Sequence, residues 1–412
     1  MQKPKKKLVY VLSIISACIM LVLTYLLLDS NRTYGDDVFL IKYSSIIKKL
    51  VLKIDPKPNR NELLFINISY DPVFIEKLDK DSIPIGLQTI TDREKVAKLF
   101  EILNKNPDNY KYIICDIFFK DGSPNDSLLH EQLKKAKNTI IPYHAGGENL
   151  LDMPLFDVKK GFADYDYIEG SFLKFKLLHR DTIQSIPLVM YKDLYGVKYE
   201  KKGMFYFLND KLSFNNIILD FKVRYYDILG NGSNNNYPFV YLGEFIELPD
   251  SLINVTVKDK IILIGDFLEK DVHETIFGKM PGTIILLNAY LTLVNEDNII
   301  PILFFPYLFV CYFFLSYLVF NKDKKISNII YKMKEKFMFK KSPDEEKETT
   351  FQKTKTRGVF KKASLFILVS FISYLIFNIH INVLILTLFL EAEKFFYSLY
   401  QKRKKQLIIK KI

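Results

Sequence analysis

The sequence predicts an α/β fold, a largely parallel or mixed sheet flanked by helices in an extracytoplasmic domain, carried by four transmembrane helices. Three observations lead there. The 412 residues are 49% hydrophobic with a mean hydropathy near zero, yet a few stretches are almost purely apolar while the rest has ordinary globular composition. Basic residues gather beside those apolar stretches. Between the first and second of them, short continuous apolar runs alternate with amphipathic ones. A soluble enzyme, a collagen-like chain, a disulfide scaffold and a wholly disordered protein are disfavoured.

Residues 1–7 form a basic N-terminus. Leu8 to Leu28 holds only Ser, Thr, Cys and Tyr as polar members, and at about 1.5 Å per residue it crosses a hydrocarbon layer of roughly 30 Å. Cleavage as a signal peptide would leave the aliphatic run Ile19 to Leu28 as a greasy new terminus, so residues 8–28 read as an uncleaved anchor. Residues 29–298 make the extracytoplasmic domain and 299–320 a second span, with Pro301 and Pro306 near its start, where the missing N–H costs little. After the basic loop 321–362, the stretch Ala363 to Leu390 has two readings. One helix would be about 42 Å long, with Asn378, His380 and Asn382 in lipid. A hairpin places spans at 363–377 and 383–400 around an external turn at 378–382, although Glu391, Glu393 and Lys394 burden the descent. The hairpin is preferred, leaving 401–412 as a basic tail.

Charge supports this layout. The net charge is +4 before Leu8, +8 over 321–362 and +6 after Tyr400, which leaves −6 for the remainder of a chain of net +12. Basic flanks stay inside, so both termini and the loop are expected in the cytoplasm of a multi-pass protein, with the main domain outside, periplasmic in a bacterium with an outer membrane. Membrane lipids explain the basicity without nucleic acid. Cys18 and Cys311 fall in apolar spans and Cys115 in a core strand, so no disulfide pair is expected.

Within residues 29–298, Glu62–Ile68, Lys111–Ile117, Asn138–Ile141, Asn216–Phe221 and Lys260–Ile264 suit strands covered on both faces. Amphipathic stretches at Asp92–Leu103, Ser127–Lys137 and Thr283–Asn295 suit helices, with Thr91 or Asp92 and Asp126 or Ser127 as N-caps. Residues 162–211 have no clear period, and 230–236 (GNGSNNN) form a loop.

Residues 258–282, KDKIILIGDFLEKDVHETIFGKMPG, place a lysine-flanked buried strand before Gly265-Asp266, then an acidic loop, then Met280-Pro281-Gly282 opening the last helix. With the acidic turn of FINISYD (65–71) and the strand and polar loop of IICDIFFKDGSPND (113–126), this arrangement resembles the CHASE2 family of bacterial extracytoplasmic sensor domains. The resemblance covers roughly residues 29–320 by motif and the remaining spans by layout. It implies a membrane sensor in which one span precedes the domain and several follow it. Two positions depart from the family pattern: Ser69-Tyr70-Asp71 stands where paired carboxylates are common, and Asp266 where a small residue is usual. Relatives often carry a fused effector; neither the loop nor the tail is large enough to fold into one.

Catalytic motifs are absent from the sequence. His130-Glu131 and His273-Glu274 lack the second histidine of a metalloprotease, and with His144, His179 and His380 all five histidines are read as scattered surface or loop residues. No phosphate-cradling glycine loop or nucleophile elbow occurs. Ligands of parallel sheets gather at the carboxyl ends of strands, so Asp71, Asp116, Asp126 and Asp266 are the candidate ligand-binding residues. The expectation is a non-enzymatic sensor or scaffold with no cofactor and no assigned metal, signalling through a separate signalling or envelope protein, with self-association open. The alternatives are an envelope enzyme using those carboxylates around a metal, or a purely structural assembly protein.

Overall fold

The computed structural model describes residues 6–31, 35–50, 53, 57–78, 81, 83–146, 150–165, 174–219, 221–230, 236–268, 270–321 and 350–409. It divides into two compact units, Lys49–Ile299 and the paired segments Met1–Lys48 and Ile300–Ile412.

The first unit is built on a seven-stranded sheet. Its strands are β1 (Leu63–Asn67), β2 (Tyr112–Cys115), β3 (Thr139–Ala145), β4 (Leu151–Asp152), β5 (Lys160–Phe162), β6 (Phe239–Tyr241) and β7 (Ile261–Gly265). The order is β6-β1-β7-β2-β3-β4, with β5 also paired to β3; every pairing is parallel except β3 with β4. All residues of β1, β2 and β7 are buried, which is why these strands are continuous apolar runs and not alternating ones.

Alternate side chains divide between two cores. Phe65, Ile114 and Leu263 pack with Ile186, Leu188 and Met190 of helix Ile186–Tyr195 and with Ile284, Ile285 and Leu287 of helix Gly282–Val294. Ile66, Ile113 and Ile264 pack with Val96, Leu99 and Phe100 of helix Arg93–Asn104, Leu129 and Leu133 of helix Asp126–Lys135, and Ile253 and Val257 of helix Asp250–Val257. The result is three layers, helices on each face of a mixed sheet.

Several sequence expectations change here. Asn216–Phe221 yields a strand only at Asn216–Ile218, antiparallel to Lys174–Lys176 and outside the main sheet. Phe221 has φ +35°, which ends the extended run. Asp92 caps its helix by accepting from the N–H groups of Glu94 and Lys95, but neither Asp126 nor Ser127 is a cap: Asn125 occupies that position and makes no side-chain bond. Of the aperiodic 162–211 region, residues 166–173 lie outside the described residues, and the rest holds short strands, helix Ile186–Tyr195 and the start of the meander Tyr199–Lys202, Phe205–Leu208, Lys211–Ser213. Hairpin Pro72–Leu78 with Pro84–Thr91 was not read at all. Of loop 230–236, residues 231–235 lie outside the described residues.

The second unit contains helices Lys6–Leu28, Gly35–Leu50, Phe304–Phe320, Thr350–Phe377 and Val383–Ile409. Among the described residues only Lys6–Leu28 is long and apolar enough to cross a membrane, while Phe304–Phe320 and Ala363–Phe377 are shorter apolar helices. Hydroxyls pair between helices: Thr24 Oγ1 with Tyr312 OH and Ser16 Oγ with Ser316 Oγ, each at 2.8 Å. The chain breaks at 378–382. Asn378 adopts φ +59°, a conformation that stops a helix, and Asn382 Oδ1 accepts from the Ile385 N–H at 2.9 Å to start the next.

Helix Gly35–Leu50 has no counterpart in the sequence reading, and it holds that turn. Asp36 Oδ2 accepts from the N–H groups of Val383 (3.0 Å) and Leu384 (2.8 Å), and Lys48 Nζ donates to Asn378 Oδ1 at 2.8 Å. A carboxylate at a helix N-terminus satisfies free N–H groups and meets the positive end of the helix dipole. Of the loop expected at 321–362, residues 322–349 lie outside the described residues, and from Thr350 the chain is helical.

Candidate functional site

The parallel register sets the carboxyl ends of β1, β7 and β2 side by side: Asn67 lies opposite Gly265, and Ile264 opposite Cys115. Asp266 and Asp116 therefore follow adjacent central strands. With Asp271 and His144 they line a cleft of about 370 Å³. Asp116, His144 and Asp271 also line a larger cavity of about 640 Å³, together with Asp164, His179 and His273. Both openings lie where open α/β sheets collect ligands, and both volumes fall in the range of small-molecule sites.

The other two predicted carboxylates are not part of this crevice. Asp71 is buried, its Oδ1 2.6 Å from Lys95 Nζ and its Oδ2 3.3 Å from the Gly243 N–H. Asp126 accepts from Arg93 Nη1 and from the Ser123 N–H, both at 2.7 Å. Each acid is occupied by a cation from the first turn of helix Arg93–Asn104, so they brace the loops that follow β1 and β2. Asp266 Oδ1 accepts from Ser69 Oγ (2.6 Å) and the Leu268 N–H (3.0 Å), tying the β1 and β7 loops together at the rim.

Asp116 is the best-placed member. Its Oδ2 accepts from Thr283 Oγ1 at 2.8 Å, in the first turn of the last helix. Two glycines make that approach possible. A Cβ on Gly265 would stand 2.1 Å from Thr283 Oγ1, and one on Gly282 would stand 2.2 Å from Asp271 Oδ2. Gly265 and Gly282 of the 258–282 motif are thus close-approach residues that let two carboxyl groups reach one helix N-terminus. Burial, reinforced by the charge of Asp271, pushes the Asp116 pKa up to about 7, against the opposing hydrogen bond from Thr283 and the nearby His144 and His273.

Three of the histidines, His144, His179 and His273, are brought together at the larger cavity. His144 Nδ1 bonds Asp164, whose other oxygen accepts from the Ala145 N–H at 2.6 Å. Burial opposes protonation of His144, but the Asp164 bond and charge outweigh it and hold the imidazole above its ordinary pKa. Burial likewise raises Asp164, and the His144 and Ala145 bonds outweigh it and hold the carboxyl below the usual range. His273 Nε2 lies 2.8 Å from Asp271 Oδ1. The sequence reading missed His144 because it ended that strand at Ile141, whereas β3 runs to Ala145. Asp271 and His273 sat inside the quoted motif; only the hairpin Val272–Thr275 with Gly278–Pro281 turns them back onto the sheet. Among the described residues no group of three or more His, Cys, Asp or Glu side chains is placed to hold a metal ion.

The profile of the CHASE2 domain matches residues 45–320. The chain belongs to the CHASE2 family. CHASE2 domains are sensory domains, and the match takes in the whole sheet, the crevice and helix Phe304–Phe320. No curated protein and no solved structure matches the chain. Within the CHASE2 region, the closing motif at 258–282 carries Asp271 and Gly282, and the residue after it, Thr283, bonds Asp116.

Proposed function

We propose that this chain is an integral membrane sensor whose CHASE2 domain lies outside the cell membrane, detects its signal in the crevice around Asp116, and signals through a separate partner protein. In this reading four helices cross the bilayer, at 8–28, 299–320, 363–377 and 383–400, with the basic N-terminus, loop and tail inside against anionic lipid. In this reading the protein is not an enzyme. The observation that carries the reading is the crevice's position: Asp116 bonds the first turn of helix Gly282–Val294, and the chain leaving that helix enters the helical unit at Ile300. A change at the crevice thus acts on the element that leads directly toward the membrane-spanning segments, where helix shifts of about 1 to 2 Å suffice for a switch. The other chain connection supports the same reading, because helix Gly35–Leu50 precedes the α/β unit and is bonded to the 378–382 turn. An enzyme with a four-carboxylate metal site loses support, since Asp71 and Asp126 are held by Lys95 and Arg93.

Two measurements in intact cells test this. In a Cys18→Ser, Cys311→Ser background, Val255→Cys, 73% exposed, is expected to react with a membrane-impermeant maleimide, and Gln401→Cys to react only after permeabilisation. Labelling of Gln401→Cys in intact cells would overturn the topology. Asp37 and Asn382 touch at 3.3 Å, so an Asp37→Cys, Asn382→Cys pair reports on the helical unit by its disulfide yield. Substitution of Asp116 by Asn is expected to change that yield in a sensor. An unchanged yield favours a purely structural assembly protein.

A further inference from the structure

We propose that the ligand of this crevice is the proton: Asp116 and Asp271, set against one helix N-terminus and flanked by His144 and His273, form a proton-binding cluster, so the domain reads external acidity. The proposal deepens the sensor reading and rests on it.

The geometry supplies the argument. Thr283 Oγ1 holds one oxygen of Asp116, and the Asp271 carboxylate lies against Gly282, the preceding residue, whose N–H in turn donates to the Asp271 backbone carbonyl at 2.8 Å. Two carboxyl groups so placed repel when both are ionised, and a proton on Asp116 removes the repulsion. The histidines are already engaged by other acids, His144 by Asp164 and His273 by Asp271, so neither is a direct counter-ion bonded to Asp116. The remaining charged groups around the crevice come from every element that surrounds it. The loop after β7 contributes Asp266 and Lys270, the loop after β2 contributes Asp121, and the start of helix Arg93–Asn104 contributes Arg93. The segment at 176–180 contributes Lys176, His179 and Arg180. Arg93 is bonded to Asp126 and to the Asp121 carbonyl.

The sign follows from the raised Asp116 pKa of about 7. A carboxyl whose folded-state pKa lies above its unfolded value contributes stability that is complete below the ordinary carboxylate range and is lost as pH rises through about 7. Alkalinisation therefore strains the junction between hairpin Val272–Pro281 and helix Gly282–Val294, and acidification relaxes it.

The experiment is difference infrared spectroscopy of the full chain in lipid nanodiscs, titrated from about pH 4 to about pH 9, following the C=O stretch of protonated carboxylic acid. The wild type is expected to show a component titrating near pH 7. That component should vanish in Asp116→Asn and move toward the ordinary carboxylate range in Asp271→Asn. Complete ionisation of all carboxyl groups by about pH 5 in the wild type overturns the proposal whatever the variants do. So does a component near neutrality that persists in a folded Asp116→Asn protein, with folding checked by protection of the Cys115 thiol. The Asp37→Cys, Asn382→Cys yield separates the two readings. Because disulfide formation itself follows the thiolate fraction, the yield is compared between backgrounds. If the titration appears and the pH dependence of the yield is the same with and without Asp116→Asn, the proton site stands and the sensor reading fails. If no titration appears and the yield still answers to Asp116→Asn, the sensor reading stands and its ligand is not the proton.

Discussion

Replacement of Arg93 by Met is expected to lower the stability of the α/β unit by about 2 to 4 kcal/mol. Arg93 is 2% exposed, and its guanidinium joins three things: Asp126 Oδ1 at 2.7 Å, the Asp121 carbonyl at 2.8 Å, and the ring faces of Phe119 and Phe156 at 4.8 and 5.6 Å. Burial lowers the Arg93 pKa even with Asp126 and Asp121 beside it, so the cation itself is costly to hold. Met fills the apolar part of the space but leaves the Asp126 carboxylate with only the Ser123 N–H. Asp126 is 23% exposed and gains some water, which places the loss below that of a fully buried broken pair. Arg93→Met with Asp126→Asn should recover part of the loss, because it removes the uncompensated charge. Thermal exposure of Cys115, fully buried in β2, provides the measurement in a Cys18→Ser, Cys311→Ser background. Unchanged midpoints for Arg93→Met would show that the pair contributes nothing net.

Gly265→Val should cost about 1 to 3 kcal/mol from overpacking and disturb the crevice as well. A Cβ there meets Thr283 Oγ1 at 2.1 Å and Thr283 Cβ at 3.2 Å, so the threonine must rotate or the helix must withdraw. Either movement breaks the Thr283–Asp116 hydrogen bond, worth about 1 kcal/mol more. Thr283→Ala removes the colliding oxygen, so the double variant Gly265→Val, Thr283→Ala should be less destabilised than the sum of the two single changes. Additivity in that cycle, read by the same Cys115 exposure, would place the effect of Gly265 elsewhere.

The elements legible in the sequence were those buried on both sides. LLFIN, YIIC and IILIG carry no polar face, and only a sheet between two helical layers accounts for such runs. Hairpin Pro72–Leu78 with Pro84–Thr91 escaped for the opposite reason. Its second strand is mostly exposed, with Ile85 and Leu87 in the open, so no core-facing alternation announces it. Asp116 and Asp266 line the crevice because a carboxylate just past an apolar run lands at a carboxyl edge whatever the strand order. Asp71 and Asp126 obeyed the same rule and failed it, since Lys95 and Arg93 reach them from a helix whose basic first turn looked like ordinary surface. His144 and Asp271 depend on how far β3 continues and on a hairpin that doubles back, and neither leaves a local signal.

The clasp between Asp36 and the N–H groups of Val383 and Leu384 joins residues 347 and 348 positions apart. A ribosome makes the chain from the amino end, so Lys49–Ile299 is available to fold well before the partner of Asp36 has been synthesised. The clasp therefore closes only after Leu384 has been made, when the whole of the α/β unit has already been available to fold. A chain interrupted before Val383 lacks both amides that the Asp36 carboxylate receives, so the start of helix Gly35–Leu50 would go unclasped.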